Sequence, residues 1–217
     1  MNPLQRIRSE LSRGRPEPIR DAPYWASLDV LVLCAVDAVA VVERAVTAGS
    51  VAIDEGSMRH IRSNDELRAL ERLFHHAWVA PLGRATLHTL ATSVDELVES
   101  IHDAAAHVRE YPAIAGNADA IEIAALARRS IDEIGDGVGA LSAKRAPTEV
   151  FAICHAVSTK RDAAHETATA AVARIARDGG DPIAALRCDA VVRGLFETCD
   201  RAERVAFAIE EAALEDA

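Results

Sequence analysis

One helical unit is written twice in this chain. A proline turn, Ala80-Pro81-Leu82, opens a long amphipathic segment, and Asp181-Pro182-Ile183 opens another. Laying Pro81 on Pro182 places Leu90 on Val191, Val94 on Leu195, Ile101 on Ala202 and Glu99 on Asp200. Few identities survive this superposition, but the apolar register does. A register that recurs at one offset fixes which face of each copy is buried, so residues 57–110 are expected to overlay residues 158–211 as antiparallel helix pairs.

The segments themselves read as helix. Half of the 217 residues are hydrophobic, only 4% are aromatic, and Ala, Leu, Val, Ile, Arg and Glu dominate. This is a composition of good helix formers with few strand formers. An all-α fold with six helices is expected. The first runs from about Ser27 to Ala48 and the second from about Ser57 to Trp78. The third follows Pro81 to about Glu110, where Pro112 stops it. The fourth spans about Ala118 to Ala143, with a weak end at Gly135-Asp-Gly-Val-Gly139 that is expected to fray or bend. Pro147 sits in the first turn of the fifth, which ends at Gly179-Gly180. Asp181 caps the sixth, which reaches about Leu214. Ser63-x-x-Glu66 and Ser93-x-x-Glu96 have the spacing of capping boxes, but both lie inside continuous apolar periods and so mark no helix start. Residues 1–24 form an arm with Arg6, Arg8, Arg13, Arg15 and Arg20, residues 25–110 a first bundle, and residues 111–217 a second.

Charge and cysteine usage narrow the function. A net charge of -10 disfavours broad binding to nucleic-acid backbones. Cys34, Cys154, Cys188 and Cys199 form no Cys-x-x-Cys and sit at apolar helical positions, as buried thiols of a reducing cytosol do. Met1 to Arg20 is polar, which predicts no secretory leader. Leu28 to Val42 is the most apolar stretch. Asp29 and Asp37 interrupt it, and it is shorter than the roughly 20 residues a bilayer needs, so a buried core helix is expected. No nucleophile elbow, glycine-rich phosphate loop or Cys/His zinc spacing is present, so no enzyme is expected.

The third helix carries a second stripe. His88, Thr92, Asp95, Glu99 and His102 fall on one line at the edge of its apolar face. Donors on one helical face suit a metal site, and equally a solvated polar flank. Glu99-x-x-His102 has the form of the Glu-x-x-His element of di-iron bundles, and Asp162-x-x-His165 is an imperfect second copy. Glu66, Glu71, Glu133 and Asp136 are the carboxylates available to complete such a site.

Three stretches resemble the PhoU-like superfamily, and within it the branch associated with Pit-type phosphate transporters. They are Val79-Ala-Pro-Leu-Gly-Arg84 followed by Leu90-Ala-Thr-Ser-Val-Asp-Glu-Leu-Val-Glu99, the turn Asp181-Pro182, and Leu195-Phe-Glu-Thr-Cys-Asp-Arg-Ala-Glu203. The resemblance implies six helices in two repeated three-helix bundles forming one compact body. Metal-binding members hold iron or zinc with acidic motifs on two helices of each bundle. Carried onto this chain, those positions are His60, Asn64, Asp95 and Glu99 in the first half, and Arg161, His165, Phe196 and Asp200 in the second. Arg161 and Phe196 cannot ligate a hard cation, so the second-half site is expected to be lost, with Asp200 its one remaining carboxylate. Asp95 and Glu99 are expected to face the second helix near His60, and Phe196 to be buried. The resemblance implies a non-enzymatic cytoplasmic regulator of phosphate transport, a membrane transporter or phosphate-signalling sensor as partner, and no insertion of its own into the membrane. A divalent metal, iron or zinc, as cofactor and a homo-oligomer stay open, as do a metal-carboxylate bundle and an interaction module unrelated to phosphate.

Overall fold

The computed structural model describes residues 22–48, 83–177 and 181–215. Among them lie five α-helices and one short 3-10 turn: α1 (Ala22–Ala48), α2 (Arg84–Glu110), the turn Pro112–Ile114, α3 (Ala118–Ser142), α4 (Pro147–Arg177) and α5 (Pro182–Glu215). The helix expected from about Ser57 to Trp78 lies outside the described residues, as do His60 and Asn64.

Local chemistry accounts for the boundaries. Tyr111 precedes a proline and leaves the helical region with φ -131°, ending α2. Gly116, at φ +82°, turns the chain so that its N–H donates to the Val46 carbonyl of α1 at 2.9 Å. Asn117 then caps α3 by accepting from the Ala120 N–H at 3.0 Å. Asp181 likewise accepts from the Ile183 N–H at 3.0 Å and starts α5. At the end of α3 the Lys144 N–H donates to Leu141 and the Arg145 N–H to Ala140, the bonds of a Schellman motif. Lys144 holds the left-handed position there, φ 52°, where glycine is the unstrained residue. Ser93 and Glu96 lie inside α2, as the apolar period requires.

Two expectations need correction. The segment Gly135–Gly139 continues as regular helix to Ser142 rather than bending. Tertiary packing overrides propensity there: a Cβ on Gly137 would stand 3.2 Å from Ile209 Cδ1, so the glycine brings α3 close to α5. The other concerns α1. It starts at Ala22 rather than Ser27, and Tyr24–Ala48 is long and apolar enough, by length and composition, to cross a membrane. Half of that stretch is buried inside the protein, with Leu31 and Val46 fully inaccessible.

Helices α3, α4 and α5 pack against one another pairwise, and α1 packs on α2 and α3. Between the halves α2 and α5 run antiparallel. The Gly83 N–H donates to Glu215 Oε2 at 3.2 Å, Arg201 meets Glu96 at 2.8 Å, and Gly194 admits Ala104 and His107. The carboxylate of Glu215 therefore sits at the positive N-terminus of α2 and satisfies an N–H that the chain leaves uncapped locally. Glu96 corresponds to Glu197 in the repeat, and Ser100 to Arg201, so the groove where these four meet lies where equivalent points of the two copies cross. One hydrophobic cluster runs through both halves.

Candidate functional site

The four positions singled out in the second half converge between α4 and α5. Arg161 donates to Asp200 Oδ1 through Nη2 at 3.0 Å and through Nε at 3.3 Å. It also lies 3.4 Å from Glu203 and 3.4 Å from Asp162. Arg204, one turn along α5, bonds the other Asp200 oxygen at 3.3 Å. The hydrogen bond to Asp200 is the main reason the Arg161 guanidinium is held above its ordinary pKa, with Glu203 and Asp162 adding to it and partial burial opposing it. A fixed cation therefore already occupies the carboxylates that a metal would need. The residues present do not fit a metal ion at this position, and Asp200 is an ion-pair partner rather than a ligand.

Phe196 departs from the sequence expectation too. It packs against the core edge but is only partly buried, because its ring forms a floor for Arg161 and His165 instead of filling the seam. The Arg161 guanidinium carbon lies 5.3 Å from the ring centroid, and the His165 ring stands 5.3 Å away at 53°. His165, Ala168, Thr169, Val172, Arg193 and Phe196 line an open groove of about 250 Å³.

In the first half, Asp95 is 9% exposed, whereas Glu99 is exposed and turns toward the α2–α5 groove. That groove, about 290 Å³, is lined by Glu96, Glu99, Ser100, Asp103, Glu197 and Arg201. Arg201 bridges the repeat-related carboxylates Glu96 and Glu197 at 2.8 and 2.9 Å. Asp95 and Glu99 thus occupy different environments, and the quartet with His60 and Asn64 reaches beyond the described residues. Among the described residues no three His, Cys, Asp or Glu side chains gather as a metal site. Glu133 is held by Lys160 at 3.0 Å, and Asp162 is an outlying partner of Arg161. Glu66 and Glu71 lie outside the described residues.

Sequence reasoning missed Glu203 and Arg201. Both are predictable as members of the polar flank of α5. Their partners, Arg161 and Glu96, are distant in sequence, and only the packing of α5 between α4 and α2 brings them together.

No family profile and no curated protein matches the chain. Solved structures do. A PhoU-like protein from Shewanella oneidensis MR-1 superposes with a TM-score of 0.72 at 15% identity, over 89% of this chain and 98% of the other. A second protein of that organism, described as a PhoU-like phosphate regulatory protein, gives 0.67 at 16% identity, over 88% and 97%. The chain therefore has the PhoU-like fold.

Proposed function

We propose that the chain is a non-enzymatic regulator or accessory protein of inorganic phosphate transport or phosphate signalling, acting by protein–protein contact. The observation that carries this reading is the PhoU-like fold over nearly the whole chain, one neighbour being described as a phosphate regulatory protein. Among the described residues, the guanidiniums of Arg161 and Arg201 are engaged by Asp200 and Glu203 and by Glu96 and Glu197, so these two charged clusters are held within the helical body. The partner is a membrane phosphate transporter or a phosphate-signalling sensor, specifically of the branch associated with Pit-type transporters. The chain works in the cytoplasm and reaches the inner face of the membrane through that partner. Affinity purification of the tagged chain from solubilised membranes tests this reading. Recovery of a phosphate transporter or sensor supports it, and recovery of neither under phosphate-replete and phosphate-starved growth contradicts it.

A further inference from the structure

The α2–α5 groove holds more negative charge than it satisfies. Glu96 and Glu197 share the Arg201 guanidinium at 2.8 and 2.9 Å. Glu99 and Asp103, one turn apart on α2 and both exposed, line the same groove of about 290 Å³, and no cation among the described residues pairs with either. Like charges at this spacing on a helix repel. Four carboxylates against one guanidinium leave room for further cations. Arg201 shows the kind that fits: a planar fork that bonds two carboxylates at once.

A basic segment is at hand in the same chain. Residues 1–21 precede α1 and lie outside the described residues. They hold Arg6, Arg8, Arg13, Arg15 and Arg20 against Glu10, Glu17 and Asp21, in a chain whose net charge is -10. The direction of α1 sets where they start. Val46 of α1 meets Gly116 just before α3, and Val32 approaches Gly135 toward the end of α3, so α1 and α3 run antiparallel. Helix α3 runs in the same direction as α5, with Ile123 near Cys199 and Gly137 near Ile209, and α5 opposes α2. Helix α1 is therefore parallel to α2, on which it packs, and Ala22 lies level with the first turns of α2. Glu99 is about 20 Å further along, and a helix is about 10 Å across. Extended chain covers about 3.3 Å per residue, so Arg13 and Arg8, nine and fourteen residues before Ala22, reach about 30 and 46 Å.

We infer that residues 6–15 occupy the α2–α5 groove of their own chain, with arginines bridging Glu99 to Asp103 and joining Arg201 at Glu96 and Glu197. Exposed ion pairs are weak singly, and a free peptide of this composition would bind poorly. The tether changes that, since it holds the arm at about millimolar effective concentration beside four carboxylates. The contact is accordingly sensitive to salt, and a partner that brings a stronger basic segment to the groove displaces it. The arm is a built-in competitor for the surface where the two repeat copies cross.

The chain has two lysines, Lys144 and Lys160, so a lysine placed in the arm is a distinct reporter. Full-length Arg8→Lys and Arg13→Lys, treated with a zero-length carbodiimide, join an arm amine to the carboxylates it touches, and peptide mass spectrometry locates the bonds. Cross-links within one chain to Glu96, Glu99, Asp103 or Glu197 are expected, and about 0.5 M sodium chloride should cut their yield by about fivefold or more. Trypsin gives a second readout. Cleavage after Arg8 and Arg13 of the otherwise wild-type chain tracks the undocked fraction and should accelerate about tenfold in Glu99→Gln with Asp103→Asn. Both substituted residues are exposed, and unchanged helical circular dichroism confirms that this variant is folded. No cross-link to the groove, cross-links to a second chain instead, or cleavage that the variant does not accelerate would each overturn the assignment.

Discussion

Helices α2 and α5 bury the same register of positions at an offset of 101 residues, and they part company beside it. Leu90, Ala91, Val94, Leu97, Val98, Ile101, Ala104, Ala105 and Val108 are all buried. Their equivalents Val191, Val192, Leu195, Thr198, Cys199, Ala202, Val205, Ala206 and Ile209 are all buried too. Two positions beside this seam diverge outright: buried Asp95 stands where the partly buried Phe196 stands, and buried Ser100 is exchanged for the bridging Arg201. The seam preserves shape, because a closely packed interior penalises any change of pattern. The flank is free to change chemistry. In the second half it has become an ion-pair cluster built on Arg161, while in the first half it keeps Asp95 and Glu99.

The comparison breaks most readily at the seam. Leu97→Ala in α2 and Leu195→Ala in α5 should each cost about 3 kcal/mol, since both side chains are essentially inaccessible. Chemical denaturation of the two variants measures this. Equal large losses support equivalent roles for the two helices, and a loss under about 1 kcal/mol in either shows that its seam is not part of the common core.

At the flank the halves should respond unequally. Arg161→Ala leaves Asp200 and Glu203 without their shared cation and is expected to cost about 2 kcal/mol. Glu99→Gln alters an exposed groove residue and should change stability by less than about 0.5 kcal/mol. A double-mutant cycle of Arg161→Ala with Asp200→Asn then reports the coupling directly. A coupling near zero would make the cluster a solvated flank.

Smaller still is the effect at the α3–α4 turn. Lys144→Gly relieves the left-handed position and should raise stability by about 1 kcal/mol, read from the denaturation midpoint. The thiols give a last contrast without a stability change. Burial, with Glu210 nearby, pushes the Cys154 thiol up to about 12, and burial, with Asp200 nearby, does the same to Cys199. Cys188 is only partly covered. Of these three, Cys188 should react first with a thiol reagent at pH 8, as peptide mapping of the labelled chain would show.

Much of this fold was legible in the residues. The Pro turns and apolar registers placed α2, α3, α4 and α5 within a few residues of their observed ends, because caps and prolines act locally. The start of α1 was missed, since Pro23 falls in a first turn where proline is tolerated. The persistence of helix through Gly135–Gly139 was also hidden, because it depends on Ile209 from another helix. At the candidate site, the incompatibility of Arg161 with a metal followed from residue type alone. The direction of Phe196, partly buried beneath Arg161 and His165, did not, because seam and flank lie one residue apart on a helix and tertiary partners choose between them.

The central claim is that this helical body regulates phosphate handling through a partner. Its most direct test is the uptake of radiolabelled inorganic phosphate by cells lacking the gene, compared with the parent strain and with cells carrying it on a plasmid, across phosphate-replete and phosphate-starved growth. The account predicts altered uptake or an altered starvation response that the plasmid copy restores. Identical uptake and identical starvation responses in all three strains would contradict it.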